Sequence, residues 1–123
     1  MTVFLIIEDN TSLNDLYGRT ILRENTKVLQ AYSILQARQM LQDNVPDVIV
    51  LDMMLPDGSG MQIINLVENN PQFASTAIVV ISGNEQHRAD VNAKGIPHFV
   101  NKLEPMARLV NIAWLLASQE QGR

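Results

Sequence analysis

The sequence predicts an α/β domain, an open doubly wound sheet of five parallel strands with five helices packed on its two faces. Three observations carry this reading. Residues 3–7, 48–51 and 77–81 are continuously apolar and rich in β-branched side chains, the habit of strands buried on both faces of a parallel sheet. The stretches between them place apolar residues three and four apart, so that each can bury one face of a helix. At 123 residues, 46% hydrophobic and 18% charged, the chain has the material for one core and one domain, 1–123. Strands alternating with helices assemble through right-handed crossovers, which distribute the helices over both faces.

Taken in order, the first strand is the run VFLII at 3–7. It is too short for the apolar core of a signal peptide, and Glu8 and Asp9 follow it at once. Leu13, Leu16, Tyr17 and Ile21 mark one face of the first helix, and a weaker strand follows at 27–31. Ser33 followed by Gln36 reads as a capping box opening the second helix, whose face is Ile34, Ala37 and Leu41 and whose end lies before Pro46. After the third strand at 48–51, Ser59 and Gln62 read as a second capping box, and Pro71 stands beyond the third helix. The fourth strand is 77–81. The helix expected after it has few anchors, only Ala89, Val91 and Ala93, so it should dock loosely. A second weak strand, 98–101, leads to a last helix whose first turn holds Pro105, with Glu104 near its positive end. That helix carries a complete core stripe of Leu109, Val110, Ala113, Leu116 and Ala117. Leu115 falls on the opposite face with Ile112 and Trp114 beside it, which suggests a partner surface. The polar tail 118–123 is expected to fray.

Composition narrows the function. Nine Lys and Arg against thirteen Asp and Glu give a net charge of -4, and no basic run could follow a phosphate backbone, so direct nucleic-acid binding is not expected. The absence of cysteine removes disulfides, thiolate metal sites and thiol chemistry. No segment reads as a membrane span, and a cytoplasmic setting fits.

In a doubly wound sheet, ligands bind beyond the carboxyl ends of the strands. The residues there are Glu8 and Asp9, Asp52, Ser82 and Lys102. Any one alone reads as an ordinary turn residue or cap. Together they form a complementary set, because three carboxylates on one edge repel each other and raise one another's pKa unless a cation sits among them. A hard divalent ion such as Mg²⁺ prefers oxygen ligands of this kind.

These residues stand in the segments IIEDN, VIVLDMMLPDGSG, IVVISG and HFVNKLEP. In order and spacing the set resembles the receiver (response-regulator) domains of two-component phosphorelay signalling, over essentially the whole chain. The resemblance implies a flavodoxin-like receiver fold and phosphoryl transfer from a sensor histidine kinase or phosphotransfer protein to Asp52. It further implies Mg²⁺ held by Glu8, Asp9, Asp52 and the Met54 carbonyl, with Lys102 paired to the incoming phosphoryl group. Ser82 would hydrogen-bond that group, and Phe99 matches the switch aromatic that follows the movement. The protein would then be no enzyme towards other molecules. It would phosphorylate itself, dephosphorylate slowly, and signal to a downstream effector or a second copy through the last helix. Met54 and Asn84 border the path of a hydrolytic water, and Met54 cannot orient one, so a long-lived phosphoryl group is expected.

Some positions depart from the family pattern. Leu103 stands where proline usually follows the lysine, and a trans bond is expected there because cis without proline costs about 3 kcal/mol or more. His87 and His98 read as ordinary surface histidines. The competing readings are a phosphorylation-independent interaction module of the same fold, a haloacid-dehalogenase-like phosphatase and a flavin or dinucleotide binder. The second would want an Asp where Met54 stands. The third would want a glycine- or hydroxyl-rich loop where EDNTSLN begins with two carboxylates.

Overall fold

The computed structural model describes residues 1–121. Its elements are β1 (Thr2–Ile7), α1 (Thr11–Ile21), β2 (Thr26–Ala31), α2 (Ile34–Asp43), β3 (Val48–Asp52), β4 (Met54–Leu55), β5 (Gly58–Ser59), α3 (Met61–Glu68), a single 3-10 turn (Pro71–Phe73), β6 (Ala77–Ser82), α4 (His87–Ala93), β7 (Phe99–Asn101) and α5 (Met106–Gln121). The five principal strands form one parallel sheet in the order β2-β1-β3-β6-β7. This is the expected receiver-type architecture. The chain reverses its direction of travel across the sheet between β1 and β3, which opens a crevice where Glu8, Asp9 and Asp52 emerge.

Period-two alternation divides the buried strand residues between two cores. Leu5, Ile7, Ile49, Leu51, Ile78 and Val80 face α2, α3 and α4, while Phe4, Ile6, Val48, Val50, Val79 and Ile81 face α1 and α5. The central strands β3 and β6 are buried almost without a break and match the continuous apolar runs at 48–51 and 77–81. The edge strand β2 keeps partial exposure along most of its length, which is why its sequence signal is weak.

The helix faces follow the sequence with informative exceptions. Ile34, Ala37 and Leu41 of α2 and the whole predicted stripe of α5 are buried. On α1, however, Leu16 is 42% exposed while Asn14 is fully buried. The Asn14 amide donates to the backbone carbonyls of Glu8 at 3.0 Å and Ala31 at 3.1 Å, so this inward position ties off strand ends that an apolar side chain could not satisfy. Ser33 caps α2 by accepting from the Gln36 amide, as expected. Ser59 does not cap α3. It lies in β5 and accepts from the Met61 amide two residues on, because the short β4-β5 hairpin delays the helix to Met61. A Cβ on Gly60 would lie 2.6 Å from the Asp52 carbonyl oxygen, so the bare backbone here lets α3 start directly against the end of β3.

The helix α5 continues to Gln121 through positions 118–121 of the segment expected to fray, while 122–123 lie outside the described residues. Its flank also differs from expectation. Trp114 turns toward α1, donating Nε1–H to the Ile21 carbonyl at 3.0 Å, meeting Phe4 edge-on at 5.0 Å and lying under the Arg23 guanidinium. Ile112 is likewise half-buried against that core, and Leu115 alone of the three is exposed, at 53%. The apolar surface of α5 is therefore narrower than the sequence pattern indicates. By contrast α4 buries only Val91, worth roughly 1.5–3 kcal/mol of apolar transfer, in keeping with the loose docking expected of it. No helix among the described residues is long and apolar enough to cross a membrane.

Candidate functional site

The carboxyl ends of β1, β3, β6 and β7 bring Glu8, Asp9, Asp52 and Lys102 together, with Ser82 at the end of the neighbouring strand. Parallel registry does the positioning. Asp52 is the last residue of β3, opposite Ile81, and the Lys102 amide donates to the Ser82 carbonyl at 2.9 Å, which aligns the loop after β7. Described peptide bonds are all trans, including Lys102–Leu103. The lysine reaches the site without the usual proline, and Leu103 is left 92% exposed.

Asp52 is 2% exposed. Its Oδ2 lies 3.0 Å from Lys102 Nζ and its Oδ1 accepts from the Met54 amide at 3.2 Å. Glu8 is fully buried. Its Oε1 is ion-paired to the same Nζ at 2.8 Å but receives no hydrogen bond, while Oε2 accepts from the Asn10 amide. Asp9 is exposed at the rim, and one oxygen from each of the three carboxylates lies within 4.8 Å of the others. A donor set made wholly of carboxylate oxygens, one of them buried and without a hydrogen bond, fits a hard divalent cation. Lys102 bridges two of those carboxylates here.

Charge crowding is visible in the titration of the site. Burial pushes the Glu8 carboxyl up to about 7; Lys102 opposes that and Asp52 adds to it. For the Lys102 ammonium burial acts downward, but Glu8 and Asp52 outweigh it and the net movement is upward. The sign for stability follows. Below about pH 4.5 Glu8 is protonated whether the chain is folded or not, and between 4.5 and about 7 only the folded chain keeps its proton, so stability falls as pH rises through that window. Glu8→Gln is therefore expected to raise the melting temperature of the metal-free protein at pH 8, by about 4 °C for each kcal/mol of relieved charge. The gain should shrink toward zero near pH 4.5. Thermal unfolding in a chelator at both pH values checks this, and a variant less stable than wild type at pH 8 contradicts it.

Ser82 and Phe99 are both buried, and each is held by α4. Ser82 Oγ accepts from the Asn84 amide at 3.0 Å and lies 2.7 Å from His87 Nδ1. The next residue, Arg88, stacks its guanidinium over the Phe99 ring at 4.5 Å and forms a two-point ion pair with Glu85, which also accepts from Asn101. His98 stands half-buried at the entry to β7, consistent with an ordinary histidine. His87 is not one, and its expected place on the open surface is corrected here. Its contact with Ser82 arises from the tight turn through Gly83 and Asn84, which no helical or strand periodicity marks. The Asn84 side chain accepts from the Gln86 amide and so shapes the same turn, while the Met54 side chain is 65% exposed.

Comparison with known proteins bears on this geometry. The pattern described as the response regulator receiver domain matches residues 4–113. The chain is 32% identical over 89 residues to the transcriptional regulatory protein KdpE of Staphylococcus aureus, a match covering 72% of this chain and 37% of that protein. It is 27% identical over 116 residues to hybrid signal transduction histidine kinase D of Dictyostelium discoideum, covering 89% of this chain and 7% of that one. Thus it spans well under half the length of these relatives. In fold it is similar to the signal receiver domain of a LuxO repressor protein from Vibrio parahaemolyticus, with a TM-score of 0.86, 24% identity, and coverage of 98% of this chain and 92% of that one.

Proposed function

The chain belongs to the response regulator receiver domain family, and on that footing we propose that Asp52 accepts a phosphoryl group from a histidine kinase or phosphotransfer protein and thereby switches a partner-binding surface. Response regulators receive phosphate from histidine kinases and act on effectors. The observation that carries the assignment to Asp52 is its place at the end of β3, almost fully buried, bound to Lys102 and flanked by Glu8 and Asp9.

A carboxylate is a weak nucleophile, so positioning and charge neutralisation must supply most of the rate. In the proposed step an Asp52 oxygen attacks phosphorus, the bond from phosphorus to the donor nitrogen breaks, and its electron pair stays on the donor imidazole. Glu8, Asp9, Asp52 and the Met54 carbonyl would hold Mg²⁺. That ion, when bound, supplies neutralisation of the phosphoryl oxygens and of the acidic cluster. Lys102 exchanges its bond to Asp52 for one to the phosphoryl group, as a point charge on a flexible stem. The modification adds roughly two negative charges and three acceptor oxygens, which draw on Lys102 and the Ser82 hydroxyl and shift the loop between β6 and α4, with Phe99 following. The signal leaves to a downstream effector or a second copy through the α5 face around Leu115, bordered by Ile112 and Trp114. Hydrolysis is slow in this reading, since the exposed Met54 side chain has no group to orient water.

The test is incubation of the chain with Mg²⁺ and a small acyl phosphate, followed by intact mass over time. A single phosphoryl gain that persists for minutes is expected. No gain overturns the reading of Asp52, and loss within seconds overturns the slow hydrolysis.

A further inference from the structure

The Ser82 hydroxyl has one proton to give, and two acceptors stand within reach of it: His87 Nδ1 at 2.7 Å and the Asn84 carbonyl at 3.3 Å. Its oxygen meanwhile accepts from the Asn84 amide. In the tautomer that carries the imidazole hydrogen on Nε2, Nδ1 accepts the serine proton. In the other tautomer Nδ1 donates and the serine proton turns to the Asn84 carbonyl. Either way the hydroxyl is directed into the turn toward α4.

We infer that His87 is a positioning residue for the phosphoryl reaction: it holds the Ser82 hydroxyl in the unphosphorylated state, and the phosphoryl group on Asp52 must take that hydroxyl from it. This rests on the phosphoacceptor reading of Asp52. The competition is direct where Nδ1 accepts, because Ser82 has a single hydroxyl hydrogen. It is also local, because His87 opens a helix whose only buried side chain is Val91, so the ring can withdraw with little loss of packing. His87 therefore sets how far the loop closes for a given occupancy of Asp52. Removing His87 leaves the hydroxyl only the longer contact to the Asn84 carbonyl, so the closed state is favoured by part of one net hydrogen bond, about threefold to fivefold in the equilibrium.

The experiment uses beryllofluoride with saturating Mg²⁺ as the phosphoryl mimic and follows the backbone amide resonances of Gly83 and Asn84 to obtain its apparent affinity. His87→Ala is expected to bind about threefold to fivefold more tightly than wild type. His87→Asn, whose amide oxygen can stand near the position of Nδ1, should return close to wild type. In a Ser82→Ala background the His87→Ala change should have no effect. Equal affinity of wild type and His87→Ala, weaker binding by the latter, or the same tightening in both backgrounds overturns the inference, the last by showing that His87 acts through helix packing. Failure of the wild-type chain to bind the mimic at all overturns the phosphoacceptor reading and the inference with it, a result separable from binding that is merely indifferent to His87.

Discussion

Asp52→Asn is expected to gain no phosphoryl group under conditions that label the wild-type chain to a large fraction. The substitution is close to isosteric. The Asn side-chain oxygen can still accept from the Met54 amide, as Asp52 Oδ1 does at 3.2 Å, and Lys102 keeps its ion pair with Glu8. What disappears is the anion that attacks phosphorus, and a neutral amide does not replace it. Because the buried negative charge next to Glu8 is also removed, the metal-free variant should be no less stable than wild type at pH 8, so a loss of labelling cannot be assigned to unfolding. Intact mass gives the stoichiometry and thermal unfolding gives the control. Labelling of Asp52→Asn to the wild-type level would place the acceptor elsewhere and remove the basis of the proposed mechanism.

Lys102→Met is the second large effect, and it appears in stability as well as chemistry. Nζ is the common partner of two carboxylates, at 2.8 Å from Glu8 and 3.0 Å from Asp52, both almost fully buried. Deleting one member of a buried charge network leaves the others uncompensated, typically at about 3–5 kcal/mol. Uptake of a proton by Glu8, already displaced upward, limits that loss. Chemical denaturation in a chelator at pH 8 should show a deficit on the order of 2–3 kcal/mol, smaller at pH 5 where Glu8 is protonated, and partly reversed by Mg²⁺. Phosphorylation by the acyl phosphate should fall by two orders of magnitude or more, as charge stabilisation around the transferred group is lost. An unfolding curve for Lys102→Met unchanged from wild type in chelator would mean that the lysine does not neutralise the pair.

The extent to which the sequence discloses this protein varies with the kind of interaction. The runs at 48–51 and 77–81 announce central strands because burial on both faces leaves no polar positions, and the stripe from Leu109 to Ala117 announces α5 because its period is local. Asp52 and Lys102 were legible from their place at strand ends, without any knowledge of the distance between them. Contacts made across turns were not legible in that way. The pairing of His87 with Ser82 depends on the path of the chain through Gly83 and Asn84, and Arg88 meets Phe99 only because α4 lies over β7. Leu16 lies outside its expected place and Asn14 lies inward because strand-end carbonyls needed a donor, a requirement set by the sheet rather than by the helix. Trp114 read as an outward residue because helical spacing gives an angle around an axis but not the height of the neighbouring helix. The continuation of α5 to Gln121 likewise overrides a polar composition that by itself favours fraying.

The Trp114 seam has a practical consequence. It is the only tryptophan in the chain, and its indole is fixed between Phe4, the Ile21 carbonyl and the Arg23 guanidinium, on the opposite side of the sheet from α4. Its intrinsic fluorescence is therefore a natural optical gauge of the α1-α5 seam. An emission shift on phosphorylation of Asp52 would locate movement in that helix pair, whereas a silent spectrum alongside displaced Gly83 and Asn84 resonances would confine the rearrangement to the other layer.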